Sequence, residues 1–169
     1  MMWPSFNACT AVPGQPQHRA ILNSYFSLCS CVVTTLVASA ALNRKHNWKF
    51  ELEHVQNATL AGGVVIGVCA DLIVEPYGAL IVGGIAGVVS TLGFKYVTVR
   101  FFLICCRKVQ TRHTCLNVLS MNWQPFLETK LKIHDTCGVH NLHGLPSWIG
   151  AFMSCVVARM ATYDKYGNG

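Results

Sequence analysis

Residues 134–146 read HDTCGVHNLHGLP, and this stretch decides how the rest of the chain is interpreted. It places three histidines and one aspartate directly before an apolar run at residues 147–157. Imidazole and carboxylate groups are costly to hold at membrane depth, so inside a bilayer they are expected to face a cavity or a partner. If the following run spans a membrane, the stretch carries polar groups into it and predicts a conduction path.

The composition is that of an integral membrane protein. Of the 169 residues, 52% are hydrophobic and only 12% are charged, with a mean hydropathy of +0.39. A soluble domain carries about 25% charged residues. The net charge of +6 does not predict nucleic-acid binding, because the basic residues form short clusters between apolar runs and no basic stripe interleaves with aromatics.

The nine cysteines do not form a metal-binding pattern. Four of them lie inside apolar runs, where cysteine serves as a small buried hydrophobe. Cys105 and Cys106 are adjacent and have no matching Cys-x-x-Cys pair, which argues against a structural zinc site. We therefore expect no bound metal and no cofactor.

Four apolar segments have spanning length and predict membrane helices. They lie at residues 20–42, 55–74, 79–97 and 137–160. Residues 1–12 are too short to span and resemble the end of another helix. The predicted fold class is all-α, a polytopic transmembrane helix bundle of about four full spans and a partial one, and the chain reads as a multi-pass membrane protein.

Small residues and turn signals add detail to these spans. Gly63-x-x-x-Gly67 and the face formed by Ala79, Gly83, Gly87 and Thr91 predict close approach of neighbouring helices. Turns are predicted at residues 13–17 and 75–78. Asp71 is interpreted as a solvated helix end.

The loop charges predict the orientation. Arg44, Lys45 and Lys49 follow the first span, six more Lys or Arg follow the third, and the turn at residues 75–78 has none. The positive-inside rule places both basic connectors in the cytoplasm. The loop at residues 13–17 and the end of the chain are then outside.

Three blocks of sequence resemble the Rh glycoproteins of the ammonium transporter family. They are WPSFN at residues 3–7, VQNATLAGG at 55–63 and DTCGVHNLHGLP at 135–146. The resemblance extends over nearly the whole chain except residues 99–124. We interpret residues 1–169 as one partial transporter-like membrane domain, with 99–124 as an inserted segment that originates from a translated intron or a gene-model error.

The resemblance implies a function and a set of partners. It implies transport of ammonium and ammonia, and of methylammonium as an analogue, by a non-enzymatic channel in the lipid bilayer of the plasma membrane. The complete protein is expected to be a homotrimer. An alternative is a non-conducting membrane fragment that associates with full-length subunits, and a third is a membrane metalloenzyme using the histidine-rich stretch.

The resemblance also implies roles for individual residues. Family members conduct through a hydrophobic pore with two touching histidines, and His143 matches the second of these, whereas no histidine of this chain matches the first. Phe6 matches a phenylalanine of the outer gate. Glu51 matches an acidic residue near the inner vestibule.

The chemistry fits these roles. An ammonium ion loses its hydration shell in an apolar lumen, which costs far more than desolvating neutral ammonia. Imidazole has a pKa near neutrality, about 6.5, and can both donate and accept a hydrogen bond. An aromatic face holds a cation with about 0.5–2 kcal/mol.

Plainer interpretations stay open for the same side chains. His143 is otherwise a hydrogen-bonded helix histidine, Phe6 an ordinary membrane aromatic and Glu51 a solvated charge. Asp135 is expected to stabilise a helix start, because carboxylates favour helix N-termini. Asn141 is a supporting residue of the motif.

The remaining histidines of the stretch are interpreted as supporting groups. His134 and His140 are expected to pack or to lie at the cytoplasmic end. His140 and His143 are three residues apart and would share one face of a helix, and with Asp135 they would form an incomplete metal site. Trp148 departs from the family pattern and is expected to add bulk just after the pore motif.

Overall fold

The computed structural model describes residues 2–43, 50–98 and 139–161, without the side chains of 96–98. All regular structure in these ranges is helical, as predicted. The helices are α1 (Met2–Ala8), α2 (Gln15–Leu42), α3 (Leu52–Gly67), α4 (Pro76–Leu92) and α5 (Leu145–Arg159). A π-helical segment, Gly93–Thr98, extends α4, and another, His140–Gly144, precedes α5. Asp135, His134 and the segment 99–124 lie outside the described residues.

The first long helix begins earlier than the predicted residue 20. Gly14 has a φ of 110°, a backbone conformation that side chains rarely adopt, and it turns the chain into α2. Pro16 then sits in the first turn of α2. Proline is favoured there because a backbone N–H in the first turn has no acceptor within the helix, so proline loses no hydrogen bond. Of the predicted turn at residues 13–17, only residues 13 and 14 precede α2. Residues 15–17 belong to the first turn of that helix.

Glycines let α2 lie against both α3 and α4. A Cβ on Gly62 of α3 would be 2.8 Å from Cys31 Cβ, and one on Gly83 of α4 would be 2.7 Å from Ser27 Cα. A Cβ on Gly87 would be 2.6 Å from the Cys31 carbonyl oxygen. Ala79 and Thr91 are buried on the same face of α4, so the predicted small-residue face is confirmed.

The burial of α2 is the reverse of that in a soluble protein. Its buried side chains are small and mostly polar, and its large apolar side chains are exposed; the buried set is Ala20, Asn23, Ser24, Ser27, Cys31, Thr35 and Ser39. Leu22, Val33 and Val37 are 55–65% exposed. Small residues at helix contacts and large apolar ones outside are typical of membrane helices.

Within the ranges that the structure describes, two helices, Gln15–Leu42 and Pro76–Lys95, are long and apolar enough to cross a membrane. The apolar window of the first is only 22% buried, whereas the core helix of a soluble domain is mostly buried. The other two predicted spans are shorter as α-helices, with 16 residues in α3 and 15 in α5. The π-helical segment His140–Gly144 lengthens the last helical run to begin at His140.

The second predicted span ends sooner than expected. Helix α3 stops at Gly67, and the chain up to Glu75 is irregular. Polar side chains of α2 hold this stretch: Asn23 Nδ2 donates to the Ala70 carbonyl at 3.0 Å, and Arg19 Nε donates to the Asp71 carbonyl at 3.2 Å. The interpretation of Asp71 as a helix end was therefore wrong, because tertiary hydrogen bonds stabilise a non-helical backbone here.

The predicted turn at residues 75–78 is the beginning of α4. Glu75 is the N-cap residue, and Pro76 occupies the first turn. The Gly78 and Ala79 N–H groups donate to the Glu75 carbonyl at 2.8 and 3.3 Å. Pro76, which the sequence placed in a turn, instead begins a helix.

Candidate functional site

An aromatic and imidazole row joins the two ends of the described chain. The rings of Trp3 and Phe6 meet edge to face, with centroids 5.4 Å apart and an interplanar angle of 85°. Trp3 also lies against the His143 ring, with centroids 6.1 Å apart and an interplanar angle of 47°. We call these three residues the aromatic row. Trp3 thus bridges the two positions that the resemblance assigned to the pathway.

The position of Trp3 depends on a glycine of α3. A Cβ on Gly63 would overlap the Trp3 indole, so only glycine allows the ring to lie on the α3 backbone. One turn further, Gly67 lies beside Asn7, and its Cβ would be 3.2 Å from Asn7 Oδ1. The Gly63-x-x-x-Gly67 pattern therefore forms a seat for the short helix α1, as its spacing predicted for a helix neighbour.

Asn7 fastens α1 to the bundle. Its side chain is 8% exposed, and Nδ2 donates to Ser24 Oγ at 2.9 Å and to the Gly63 carbonyl at 3.1 Å. A seven-residue helix has too few internal hydrogen bonds to be stable alone. These two contacts fix the rotation of α1 and hence the directions of Trp3 and Phe6.

Phe6 and His143 differ in exposure. The Phe6 side chain is 65% exposed, whereas His143 is half-buried. Phe6 is therefore the more exposed end of the row, and His143 is the more covered end. Such a row can hold a cation at its rim and offer a proton acceptor further in.

The π-helical segment that carries His143 packs against the end of α4. Asn141 is 1% exposed and packs beside Gly93, whose Cβ would be 3.0 Å from Asn141 Oδ1. Ser90 Oγ donates to the Asn141 carbonyl at 3.2 Å. Asn141 thus supports the segment from the α4 side, and Leu142 is 5% exposed beside it.

His140 and His143 lie in different surroundings. His140 is exposed and lies over Gly144, where a Cβ would be 2.9 Å from its Nδ1, whereas His143 turns towards Trp3. The shared face and the metal site with Asp135 stay a prediction, because Asp135 lies outside the described residues. Within residues 2–43, 50–98 and 139–161, no group of three His, Cys, Asp or Glu comes close enough to hold a metal ion.

Trp148 does not fill the space after the motif. Its side chain is 77% exposed, so the expected added bulk points outwards. The close contact in this region is made by Gly150, whose Cβ would be 2.5 Å from the Val65 carbonyl oxygen. Helix α5 therefore rests on α3 through a glycine, two residues beyond the tryptophan.

Glu51 lies apart from the aromatic row. It is the N-cap residue of α3, twelve residues before Gly63, or about 18 Å along the helix axis at 1.5 Å per residue. Its carboxylate accepts from Asn43 Nδ2 at 2.8 Å and lies 3.5 Å from His54 Nε2. Burial, the largest effect, lowers the pKa of His54 below its ordinary value, although Glu51 acts in the opposite direction.

Sequence reasoning missed Trp3 and His54. Trp3 stood inside a recognised block, and its place three residues before Phe6 on a helix was a usable signal. Its contact with His143 spans 140 residues and had no signal. His54 lies directly before the second predicted span, and its burial depends on contacts with Ser39 and Phe94 from other helical segments.

Known proteins resemble this chain along its whole length. The model of the Ammonium Transporter Family matches residues 1–168. An ammonium transporter Rh type C from Canis lupus familiaris is 46% identical over 170 residues, which cover 100% of this chain and 31% of the relative. An ammonium transporter Rh type B-A from Xenopus laevis is 43% identical, with 100% and 31% coverage. The chain spans about a third of the length of these relatives.

A solved structure is also similar. It is the Rh50 protein of Nitrosomonas europaea, described with the mechanism of conduction by the Rhesus family of channels. It is 35% identical, with a TM-score of 0.66, and the match covers 92% of this chain and 33% of Rh50. The helical fold and the apolar helices agree with a multi-pass membrane protein of a transporter family rather than an enzyme family. On these matches and this fold, the chain belongs to the ammonium transporter family.

Proposed function

We propose that this chain forms part of a conduction path for ammonium and ammonia, with the aromatic row as its selective element. The observation that carries the proposal is the bridge made by Trp3 between Phe6 and His143. These residues come from the two ends of the described chain, and one indole joins them. The relatives, named ammonium transporters, give the substrate class.

Each part of the row has a chemical task in this proposal. The exposed Phe6 ring attracts ammonium at the mouth by its π face. The ion releases its proton to water there, because carrying the charge into an apolar passage is too costly. Neutral ammonia then passes Trp3 and meets the imidazole of His143, which can donate to it or accept from it.

The supporting residues have structural tasks. Asn141 and His140 lie in the same π-helical segment as His143. Asn141 is buried and anchors that segment to the bundle. Glu51 contributes negative charge on the predicted cytoplasmic side. Asp135 lies outside the described residues, and its proposed role at a helix start is carried over from the sequence. No cofactor or metal takes part.

The large apolar side chains exposed on α2 suit lipid or further membrane helices. We propose that the complete protein is a homotrimer in the plasma membrane. Methylammonium is expected to follow the same path as ammonium.

A second candidate is a non-conducting membrane protein that associates with full-length subunits. The observation that favours it is the exposure of Phe6, at 65%, and Met2, at 82%, which leaves one side of the aromatic row uncovered within the described residues. Another subunit would then supply the missing wall.

Uptake of radiolabelled methylammonium into proteoliposomes that contain the full chain tests the first candidate. We expect uptake above that of empty liposomes, and His143→Ala is expected to lower it at least about tenfold, equivalent to about 1.4 kcal/mol. Trp148→Ala is the matched control, because Trp148 is exposed and four residues beyond Gly144. Equal uptake by the parent and His143→Ala would contradict the proposal.

The second candidate predicts a different result. The chain alone would show no uptake, and it would co-purify from membranes with a co-expressed full-length Rh subunit. Uptake by the chain alone together with absence of co-purification would exclude this alternative.

A further inference from the structure

The ends of three helical runs meet at one set of hydrogen-bonded side chains. We call Ser39, Asn43, Glu51, His54 and Lys95 the polar clasp. Lys95, in the π-helical extension of α4, donates from Nζ to the Leu42 carbonyl at 2.6 Å and to Asn43 Oδ1 at 2.8 Å. Lysine at the last carbonyls of a helix also opposes its negative end, so Lys95 ties the extension of α4 to the end of α2.

The clasp continues from α2 to α3. Asn43 Nδ2 donates to Glu51 Oε1 at 2.8 Å, and the Glu51 backbone N–H donates to Ser39 Oγ at 3.0 Å. Ser39 and Asn43, at the end of α2, thus both bind Glu51, the N-cap residue of α3. None of these groups belongs to the aromatic row.

His54 lies at the centre of the clasp. The residue is 6% exposed, its Nδ1 is 2.9 Å from Ser39 Oγ, and its ring faces Phe94 at 6.2 Å. Its Nε2 is 3.5 Å from Glu51 Oε2. One neutral tautomer satisfies both neighbours, with Nδ1 accepting from the Ser39 hydroxyl and Nε2–H directed at Glu51.

A proton on Nδ1 would disturb this arrangement. The ring would then offer a donor where the Ser39 hydroxyl also donates, and Ser39 Oγ would face two N–H donors, from the ring and from the Glu51 backbone. The Ser39 hydroxyl would have to turn to another acceptor. A charged ring that is 6% exposed also loses hydration, which is costly without strong pairing.

Three charged groups of the described chain act on His54. Glu51 and Glu53, on α3, favour its protonated form, and Lys95, on the extension of α4, opposes it. Burial outweighs the two carboxylates and lowers the pKa of His54. The neutral ring is therefore the form that the folded clasp retains at neutral pH.

We propose that the polar clasp is a proton-sensitive switch, which holds the three helix ends together while His54 is neutral and releases them when the ring takes up a proton. Release increases the solvent exposure of the Phe94 ring, which is only 6% in the closed clasp. Since the basic connector after α2 predicts a cytoplasmic location for this end, the switch responds to acidification of the cytoplasm. The proposal is independent of whether the chain conducts ammonia.

Hydroxyl-radical footprinting of the full chain in phosphatidylcholine nanodiscs tests this switch. The oxidation of Phe94 is measured relative to that of Phe6, which is exposed and belongs to another helix. Between about pH 8 and about pH 5 we expect relative oxidation of Phe94 to rise at least about fivefold, with a midpoint below the ordinary histidine value of about 6.5. A flat profile would overturn the proposal.

Two variants assign the response to His54. His54→Gln keeps a polar side chain that cannot gain a proton near neutrality, so Phe94 oxidation should stay low at every pH. His18→Gln, at the exposed start of α2, is the matched control and should keep the parental profile. A pH response that persists in His54→Gln would refute the assignment.

Glu51→Gln provides a second test in case His54→Gln does not fold. Glutamine keeps an oxygen for Asn43 Nδ2 but removes the charge that favours protonated His54. The midpoint of Phe94 oxidation should therefore move to lower pH. An unchanged or higher midpoint would overturn the proposal.

Discussion

Asn7 Nδ2 donates a hydrogen bond to Ser24 Oγ over 2.9 Å, and this contact joins the short helix α1 to the long helix α2. The same Nδ2 reaches the Gly63 carbonyl of α3 at 3.1 Å. One buried amide therefore positions α1 against two helices. Because Trp3 and Phe6 belong to α1, the geometry of the aromatic row depends on this amide.

The Asn7–Ser24 contact is expected to contribute measurably to stability. A double-mutant cycle with Asn7→Ala, Ser24→Ala and the double variant should give a coupling free energy of about 0.5–2 kcal/mol, the range for hydrogen bonds between membrane helices. Unfolding in mixed micelles with increasing denaturing detergent measures it. Additivity within about 0.3 kcal/mol would show that the contact has no net effect.

Helix packing between α2 and α4 is expected to depend on Gly83 far more than on its neighbour. In Gly83→Ala the new methyl group would meet Ser27 backbone atoms, which cannot move aside, and we expect a loss of about 1–3 kcal/mol in the free energy of unfolding. In Gly84→Ala it would meet only the side chains of Ser30 and Thr34, at 3.1 and 3.3 Å. That matched variant should lose less than about 1 kcal/mol, since alanine also favours the helix. Equal losses, measured by the same detergent titration, would contradict this account of the interface.

Trp3 is expected to matter for transport because it bridges Phe6 and His143. Replacing it in Trp3→Leu removes both ring contacts and should lower methylammonium uptake into proteoliposomes by about tenfold, or about 1.4 kcal/mol. Trp148→Leu makes the same substitution at a side chain that is 77% exposed and should leave uptake within about twofold of the parent. Similar uptake by Trp3→Leu and the parent would remove Trp3 from the pathway.

The titration of His54 is expected to respond to Lys95. Burial, chiefly, lowers the pKa of His54, and the Lys95 ammonium lowers it further, so Lys95→Met should raise that pKa. A histidine whose pKa is lower in the folded state stabilises the fold at high pH and loses this contribution as the pH falls through the folded-state pKa. Because the folded-state pKa then lies closer to the unfolded-state value, the loss on acidification should be smaller in Lys95→Met and complete at a higher pH than in the parent.

NMR titration of ¹³C-labelled histidine rings measures this shift directly. His54→Gln identifies the His54 signal by its disappearance, and His18, exposed at the start of α2, serves as the internal reference. A His54 signal that titrates at the same pH with and without the lysine would show that Lys95 does not act on the ring.

The sequence by itself determined the class of the molecule and the chemistry available to it. Low charge and long apolar runs predicted a helical membrane protein, and three blocks of sequence predicted the family. The small-residue face of α4 was also readable, because a spacing of four residues places Gly83 and Gly87 on one side of any helix. The class and the small-residue face depend on composition and local periodicity, which a single chain displays directly, whereas the family depends on the resemblance of three blocks to known sequences.

Helix boundaries were decided by tertiary contacts. Helix α3 ends at Gly67 rather than near residue 74, because Asn23 and Arg19 of α2 hold the carbonyls of Ala70 and Asp71 in a non-helical backbone. Pro76 begins a helix where the local pattern indicated a turn. Local propensity is weak, and hydrogen bonds from distant residues outweigh it.

Only the tertiary structure decided which side chains meet. The contact of Trp3 with His143 requires α1 to lie on Gly63, and the burial of His54 requires the ends of α2, α3 and the extension of α4 to converge. Both arrangements join residues far apart in the chain, and no local pattern encodes such pairs. Helix packing against glycine backbones brings them together, because those glycines remove the side chains that would otherwise hold the helices apart.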